Sequence, residues 1–247
     1  SLEIVARVLP KRDGEMVLSS RDRVSFSLSE HYTKPYDEIT HKKEIDRQLI
    51  ERVKKSDAVI VRLPSILGFR AISICKKIKK PYAIEVVGCP RDTYWNYGSI
   101  MGKIMSPIVF FRMKKAILNS KFTVYVTKSF LQQRYPSYGA STNISNVVID
   151  DFPISVLIEH QAILKKQKSR LKLGMIGNIE TRYKGYEVVF KALSKIKDQI
   201  PDFVLLLVGG GKSNWINNLA EKHGLLSNVE IIGVLSSGEC IYSFLDT

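Results

Sequence analysis

Short apolar runs alternate with amphipathic segments along most of the 247-residue chain. The runs are rich in β-branched residues and continuous, which is typical of parallel strands covered on both faces. Between them apolar residues recur every three or four positions, as on one face of a helix. Strands that alternate with helices predict an α/β fold with largely parallel sheets. The first half is predicted to contain strands at 2–8, 24–28, 58–61, 82–87, 122–126 and 147–149, and helices around 45–53, 71–78 and 100–118, the last bent or interrupted at Pro107.

A second series of strands and helices follows a stretch at 163–170 that is rich in Lys and Gln, which we interpret as a linker or a helix end. Gly224 has the position that closes a helix, and Ser236 with Glu239 has the spacing of a capping box. This series is about half the size of an ordinary α/β domain. We therefore expect a fragment that lacks material at both ends. Its predicted strands are 171–176, 203–208 and 229–232, and its predicted helices are 186–197, 213–223 and a third from about 239.

The chain is strongly basic, with 38 Lys and Arg residues, 24 Asp and Glu residues and a net charge of +14. Such a balance favours polyanions: nucleic acid, an anionic membrane surface or phosphorylated small molecules. No zinc-finger spacing, basic zipper or aromatic RNA-binding signature accompanies the charge, so we expect no nucleic-acid partner. No apolar run is long enough to span a bilayer. The three cysteines, Cys75, Cys89 and Cys240, form no metal motif, which predicts reduced thiols and a cytoplasmic protein.

The most informative motif is the turn 177–185, which reads GNIETRYKG between a predicted strand and a predicted helix. Glycine lets the backbone approach a ligand, the helix N-terminus offers N–H groups, and Arg182 and Lys184 add full charges. This combination predicts a phosphate-binding site. A solvated loop with two surface cations is the alternative that the residues leave open.

Three segments in register resemble the family-4 glycosyltransferases of the GT-B fold, of the bacterial polysaccharide or capsule type. They are the turn 177–185 with the helix after it, the glycine turn ending at 209–211, and the strand and glycine at 228–233. Segments 80–88, 126–136 and 146–150 also resemble bacterial polysaccharide members. The resemblance covers residues 57–247.

This resemblance implies two Rossmann-like domains with parallel sheets, the second incomplete. Residues 1–165 would form the acceptor-side domain, which we expect to lack its first strand, and 166–247 part of the nucleotide-sugar-binding domain. The implied activity is hexosyl transfer with retention from a nucleotide-sugar donor to a lipid-linked or saccharide acceptor in surface polysaccharide synthesis. It implies no cofactor and no tightly bound metal. The protein would work in the cytoplasm, with peripheral attachment to the inner face of the plasma membrane as an open possibility.

Carried onto this chain, the resemblance makes Lys184 the cation that neutralises the departing diphosphate, a large term in such chemistry. Gly177 would lie against the phosphates, Gly209–Gly211 near the nucleoside and Gly233–Leu235 near the base. The implied donor-binding residues are Gly177, Asn178, Lys184, Gly185, Gly209, Gly210, Gly211, Gly233, Val234 and Leu235, with Lys184 and Arg182 as the catalytic cations.

The chain departs from the family's pattern in two places. Many members have Arg where Asn178 stands here, and Arg182 could supply that charge instead. The Glu-x7-Glu segment that contacts the donor sugar should lie beyond Thr247. We therefore expect the fragment itself to be inactive, and two glutamates eight positions apart in a continuing reading frame would favour the enzyme.

Arg91 and Asp92 follow a predicted strand end, where ligands of open α/β sheets gather, and are our acceptor candidates. A turn anchored by Pro90 is the structural alternative. A separate segment, Lys103 to Lys115, combines apolar residues with flanking cations and predicts contact with an anionic membrane, unless it is a core helix with a basic end.

Two other functions compete with a glycosyltransferase. A dinucleotide-dependent oxidoreductase needs Gly-x-Gly-x-x-Gly, and the glycines at 209–211 lack that spacing. A non-catalytic basic α/β protein that keeps a nucleotide pocket as a scaffold is the alternative that Asn178 leaves open.

Overall fold

The computed structural model describes residues 1–7, 21–29, 40–147, 151–166, 170–236 and 238–246. The strands are β1 (Leu2–Arg7), β2 (Val24–Ser29), β3 (Val59–Leu63), β4 (Tyr82–Val86), β5 (Phe122–Tyr125), β6 (Ala140–Asn143), β7 (Leu171–Ile176), β8 (Phe203–Val208) and β9 (Val229–Gly233). The helices are α1 (Lys42–Lys55), α2 (Ile66–Ile78), α3 (Pro90–Trp95), α4 (Ile100–Leu118), α5 (Phe130–Arg134), α6 (Ile154–Lys166), α7 (Tyr186–Ile196), α8 (Asn214–Lys222) and α9 (Glu239–Leu245). In these ranges no helix is both long enough and apolar enough to cross a membrane.

The strands form three sheets, each of them parallel throughout. β1 pairs with β2, β3 to β6 form a four-stranded sheet in chain order, and β7 to β9 form a three-stranded sheet in chain order. Parallel neighbours need crossover connections, and helices supply them in the two larger sheets. The predicted α/β fold with parallel sheets is confirmed.

The chain packs as two compact units. One contains residues 1–88 and 113–144, and the other contains 89–112 and 145–247. Segment 89–112 therefore packs with the second half of the chain. Packing does not show which parts fold as separate domains, so the division at 165/166 stays a prediction.

The core of the second unit is built around β8, all six residues of which are buried. On α7 the buried residues Tyr186, Phe190 and Leu193 recur at helical spacing and cover the sheet, together with Ile216 of α8. Burying one side chain of this size contributes about 1.5–3 kcal/mol. This packing holds the carboxyl ends of β7, β8 and β9 side by side.

The prediction of a last strand at 147–149 is wrong where it can be compared. Val147 is not in a strand, and residues 148–149, like Val8 at the end of the first predicted strand, lie outside the described residues. The last strand of the four-stranded sheet is instead β6, which lies earlier in the chain than the predicted strand. All four of its residues are exposed and three are polar, so it carries no apolar run.

The predicted start of α9 needs correction, and two other predictions about helices can be compared with the structure. The capping box of Ser236 and Glu239 is wrong, because α9 begins at Glu239 with Gly238 as its N-cap. Gly238 has φ +88°, a conformation in which glycine replaces a capping side chain. Helix α4 runs unbroken through Pro107. The stretch 163–170 was interpreted as a linker or a helix end, and residues 163–166 do form the end of α6, a helix whose earlier part was not predicted.

Candidate functional site

The loop after β7 extends the sheet beyond the strand. The Gly177 amide donates to the carbonyl of Val208 (2.8 Å) and the Ile179 amide donates to the carbonyl of Gly210 (2.9 Å). Between them, Asn178 Oδ1 accepts from the amide of Glu180 at 2.9 Å. This Asx turn occupies Asn178 in shaping the loop.

Lys184 lies at the other end of the same loop. It ends a 3₁₀ turn, and Gly185, with φ +87°, is the N-cap of α7. A Cβ placed on Gly177 would lie 3.5 Å from Lys184 Cδ, so the aliphatic part of Lys184 lies along the glycine. The side chain is exposed, and its Nζ lies 5.5 Å from the centroid of the Tyr183 ring. The structure therefore brings together the predicted phosphate glycine, the predicted cation and a helix N-terminus.

The second glycine turn touches the first through its backbone. A Cβ on Gly209, which has φ +150°, would lie 1.8 Å from the carbonyl oxygen of Gly177. A Cβ on Gly211, with φ +120°, would lie 2.8 Å from the amide nitrogen of Glu180. Side chains at these positions would force the two turns apart.

The third predicted segment joins the other two. The Gly209 amide donates to the carbonyl of Gly233 at 2.7 Å. A Cβ on Gly210 would lie 3.1 Å from Val234 Cγ2, and Val234 is itself 75% exposed. Leu235 follows as a half-buried residue. All three predicted donor segments therefore meet at the carboxyl edge of β7–β8–β9.

Arg182 has different neighbours from Lys184. Its guanidinium lies 5.7 Å from the centroid of the Trp215 ring, and a Cβ on Gly98 would lie 2.9 Å from its Cδ. The three atoms nearest to a Cβ on Gly177 all belong to Lys184. That Arg182 replaces the cation missing at Asn178 stays a prediction.

Sequence reasoning missed two aromatic residues that fix the loop. The Tyr186 hydroxyl donates to the carbonyl of Gly177 (3.2 Å), and Trp215 Nε1 donates to the carbonyl of Ile179 (2.9 Å). Their rings meet edge to face at 5.7 Å. Each lies on a largely apolar helix face and carries one polar atom, which buried aromatic residues usually pair. That pairing is the signal that could have identified them.

Residues 156–246 match the family model described as glycosyl transferases group 1. They contain all three donor segments, 177–185, 209–211 and 233–235, which we call the glycine cluster. Protein CapJ of Staphylococcus aureus is 36% identical over 233 residues, in an alignment that covers 92% of this chain and 56% of CapJ. The chain therefore spans little more than half the length of this curated relative.

Among solved structures, sucrose-phosphate synthase from Thermosynechococcus elongatus superposes with a TM-score of 0.59 at 14% identity. The superposition covers 95% of this chain and 60% of the synthase chain. The protein has a GT-B-like α/β fold with parallel sheets. The predicted fold class is thereby confirmed, and family 4, a finer assignment, stays a prediction.

Tyr186 makes this part of the GT-B fold sensitive to alkali. Burial raises the pKa of its hydroxyl above the usual value near 10. As pH rises above 10 the unfolded chain loses this proton first, so the stability of the folded state falls until pH reaches the raised pKa. Below pH 10 the contribution is constant.

We expect Tyr186→Phe to cost about 1 kcal/mol near neutral pH, through the hydrogen bond to Gly177, and to reduce the loss of stability above pH 10. Urea unfolding, followed by the fluorescence of Trp95 and Trp215 in the second unit, measures the stability of both proteins near neutral pH and above pH 10. Burial also raises the pKa values of Tyr82 and Tyr125, but these two tyrosines contribute equally to the alkaline loss of stability in the variant and in the unmodified protein. An identical alkaline loss in the variant would contradict the assignment to Tyr186.

The acceptor candidates lie at the start of α3. Pro90 takes the first helical position, so a helix rather than a simple turn follows β4. The Arg91 guanidinium lies 5.4 Å from the centroid of the Phe110 ring, and the Arg91 carbonyl accepts from Ser106 Oγ at 2.8 Å. Asp92 is half-buried. The acceptor role of Arg91 and Asp92 stays a prediction.

Metal-ligating side chains are dispersed. In the part of the chain that the structure describes, no three His, Cys, Asp or Glu residues come close enough to hold a metal ion. In the turn 177–185 the charged residues are the anion Glu180 and the cations Arg182 and Lys184.

Proposed function

We propose that this chain carries part of the donor-binding site of a glycosyltransferase that uses a nucleotide-sugar in the synthesis of capsule or another surface polysaccharide. The observation that carries the proposal is Lys184 lying along Gly177 at the N-terminus of α7. The glycosyl transferases group 1 match over 156–246 and the similarity to CapJ support the same activity.

Lys184 would act on the diphosphate of the donor. When the bond between sugar and diphosphate breaks, negative charge develops on the leaving oxygen, and a preorganised ammonium stabilises it. The N–H groups of Tyr186 and Glu187 lie in the first turn of α7, where the helix itself supplies no carbonyl partner, and would favour the same anion. With these groups the proposal needs no resident metal or cofactor.

The glycines would let the nucleotide approach the backbone. Gly177, Gly209 and Gly211 present no side chains where the two turns meet, and Asn178 holds its turn closed. The nucleoside would lie along 209–211 and its base near Gly233, Val234 and Leu235. Gly185, in a left-handed conformation, would set the direction in which α7 leaves the site.

The finer proposals rest on the family-4 resemblance. They are transfer of a hexose with retention of anomeric configuration, a lipid-linked or saccharide acceptor near Arg91 and Asp92, and work at the inner face of the plasma membrane. Arg182 is proposed as a second cation for the diphosphate.

Calorimetric titration with UDP, GDP and ADP, with UMP and inorganic phosphate as controls, tests the donor site in the chain itself. We expect one nucleoside diphosphate to bind more tightly than its monophosphate, with EDTA making no difference. Transfer is then measured with the full-length protein, radiolabelled nucleotide-sugars and isolated membrane lipids as acceptors.

The outcomes separate the two candidate functions. Absence of binding by every nucleoside diphosphate would overturn the donor site. Binding without transfer by the full-length protein would favour a non-catalytic nucleotide-binding scaffold, for which the specific observation is Asn178, a loop-shaping amide where many relatives have a cation.

A further inference from the structure

Helix α4 is apolar on both its buried and its exposed sides. Ser106, Met113 and Ile117 are fully buried on the side that packs against the protein. On the other side five large apolar residues are 55–80% exposed, namely Ile100, Met101, Ile104, Ile108 and Phe111. A surface helix normally has polar residues opposite its buried face, so the exposed side has an unusual composition.

The five exposed residues form one continuous stripe. With about 100° between successive helical residues, positions 100, 101, 104, 108 and 111 fall within an arc of about 100°. The buried residues 106 and 113 point to the opposite side of the helix. Phe110 lies outside the stripe, because it is half-buried and stacks with Arg91. We call the five residues the α4 stripe.

The charges on α4 itself all have one sign. Helix α4 contains four cations and no Asp or Glu in its 19 residues. Lys103 and Lys115, both exposed, lie near the two ends of the stripe. Just before the helix, Trp95 and Tyr97 are 52% and 61% exposed. Tryptophan and tyrosine are enriched at the boundary between a bilayer and water.

We propose that the α4 stripe is a membrane-binding surface that inserts into the interface of an anionic lipid bilayer. Apolar side chains enter the acyl boundary while Lys and Arg contact the headgroups, which is the combination that an interfacial helix requires. The net charge of +14 favours the same partner. A second protein copy would place the like charges of two helices against each other, which disfavours self-association through this face.

The inference rests on the proposed work at the inner face of the plasma membrane and names the surface that makes the contact, which belongs to the same compact unit as the glycine cluster. Arg182 at that cluster packs against Gly98, two residues before the helix. Adhesion through α4 would therefore keep the cluster close to the membrane.

Co-sedimentation of the full chain with vesicles tests the proposal. We expect binding to vesicles of phosphatidylglycerol and phosphatidylcholine, weak binding to phosphatidylcholine alone, and release at high salt. The triple variant Ile104→Ser, Ile108→Ser and Phe111→Ser should weaken binding about tenfold or more. Lys103→Gln with Lys115→Gln should weaken it about fivefold for each cation removed and reduce its salt dependence.

A matched control replaces three exposed apolar residues elsewhere, Ile60→Ser, Tyr138→Ser and Leu226→Ser, and should bind like the unmodified chain. Circular dichroism verifies that the stripe variant keeps its fold. Equal loss in the stripe and control variants, or no binding to anionic vesicles at low salt, would overturn the proposal. Sedimentation showing that the stripe holds a dimer instead would do the same. Nucleotide binding can fail without affecting these results, so the two proposals are tested separately.

Discussion

Lys184→Ala will lower kcat/KM of the full-length protein by about 10²–10³, because it removes a preorganised cation from the departing diphosphate. Its side chain lies along Gly177, where the proposed phosphates meet the backbone, and no other residue supplies the three atoms nearest to that glycine position. Steady-state kinetics with a radiolabelled nucleotide-sugar measures the change. In the chain itself, calorimetry should show weaker binding of the nucleoside diphosphate.

Two comparison variants make this result specific. Arg182→Ala should have a smaller effect, since its guanidinium lies over Trp215 and its stem against Gly98. Lys191→Ala removes an exposed cation from α7, the helix that follows Lys184, and should change neither kinetics nor binding. Equal, small effects of Lys184→Ala and Arg182→Ala would show that the phosphate site lies elsewhere.

Gly209→Ala will destabilise the second unit by about 3 kcal/mol, at the upper end of ordinary single substitutions, and abolish nucleotide binding. The added Cβ would lie 1.8 Å from the Gly177 carbonyl oxygen, so the two turns must separate. Separation breaks the hydrogen bonds that place Gly177 beside Lys184. Urea unfolding followed by tryptophan fluorescence measures the stability, and calorimetry measures the binding.

Gly233→Ala is the matched control for backbone strain. Gly233 also has a positive φ, +89°, but no atom lies within 4 Å of a Cβ placed there. Only the conformational cost of about 1–2 kcal/mol should remain. If both substitutions destabilise equally, the contact between the two turns contributes nothing beyond the glycine conformations.

Much of the second unit could be predicted from sequence because its local signals agree with its packing. β8 is a continuous apolar run, α7 has its apolar residues on one face, and Gly224 ends α8 with φ +62° where a closing glycine was expected. Each signal depends on residues close in sequence. Parallel pairing then follows from the alternation of strands and helices.

The features that escaped prediction depend on residues distant in sequence. β6 has no apolar run of its own and exists through its pairing with β5. Trp215 reaches the carbonyl of Ile179 across 36 positions, which no local pattern records. For α4 the sequence left open both a membrane-contacting segment and a core helix with a basic end, because its apolar residues alone cannot distinguish a core helix from one with an uncovered face.

Backbone hydrogen bonds between the glycine turns form a frame for this site, and the exposed side chains around it form its lining. Because amides and carbonyls of residues 177, 179, 208, 209, 210 and 233 hold the frame, its shape does not depend on the exposed side chains of Tyr183 and Val234. Those two positions can be exchanged without breaking a frame bond. The site is therefore suited to redesign. A library restricted to Tyr183 and Val234 would change the side chains that a ligand contacts, while the backbone hydrogen bonds between the turns stay the same.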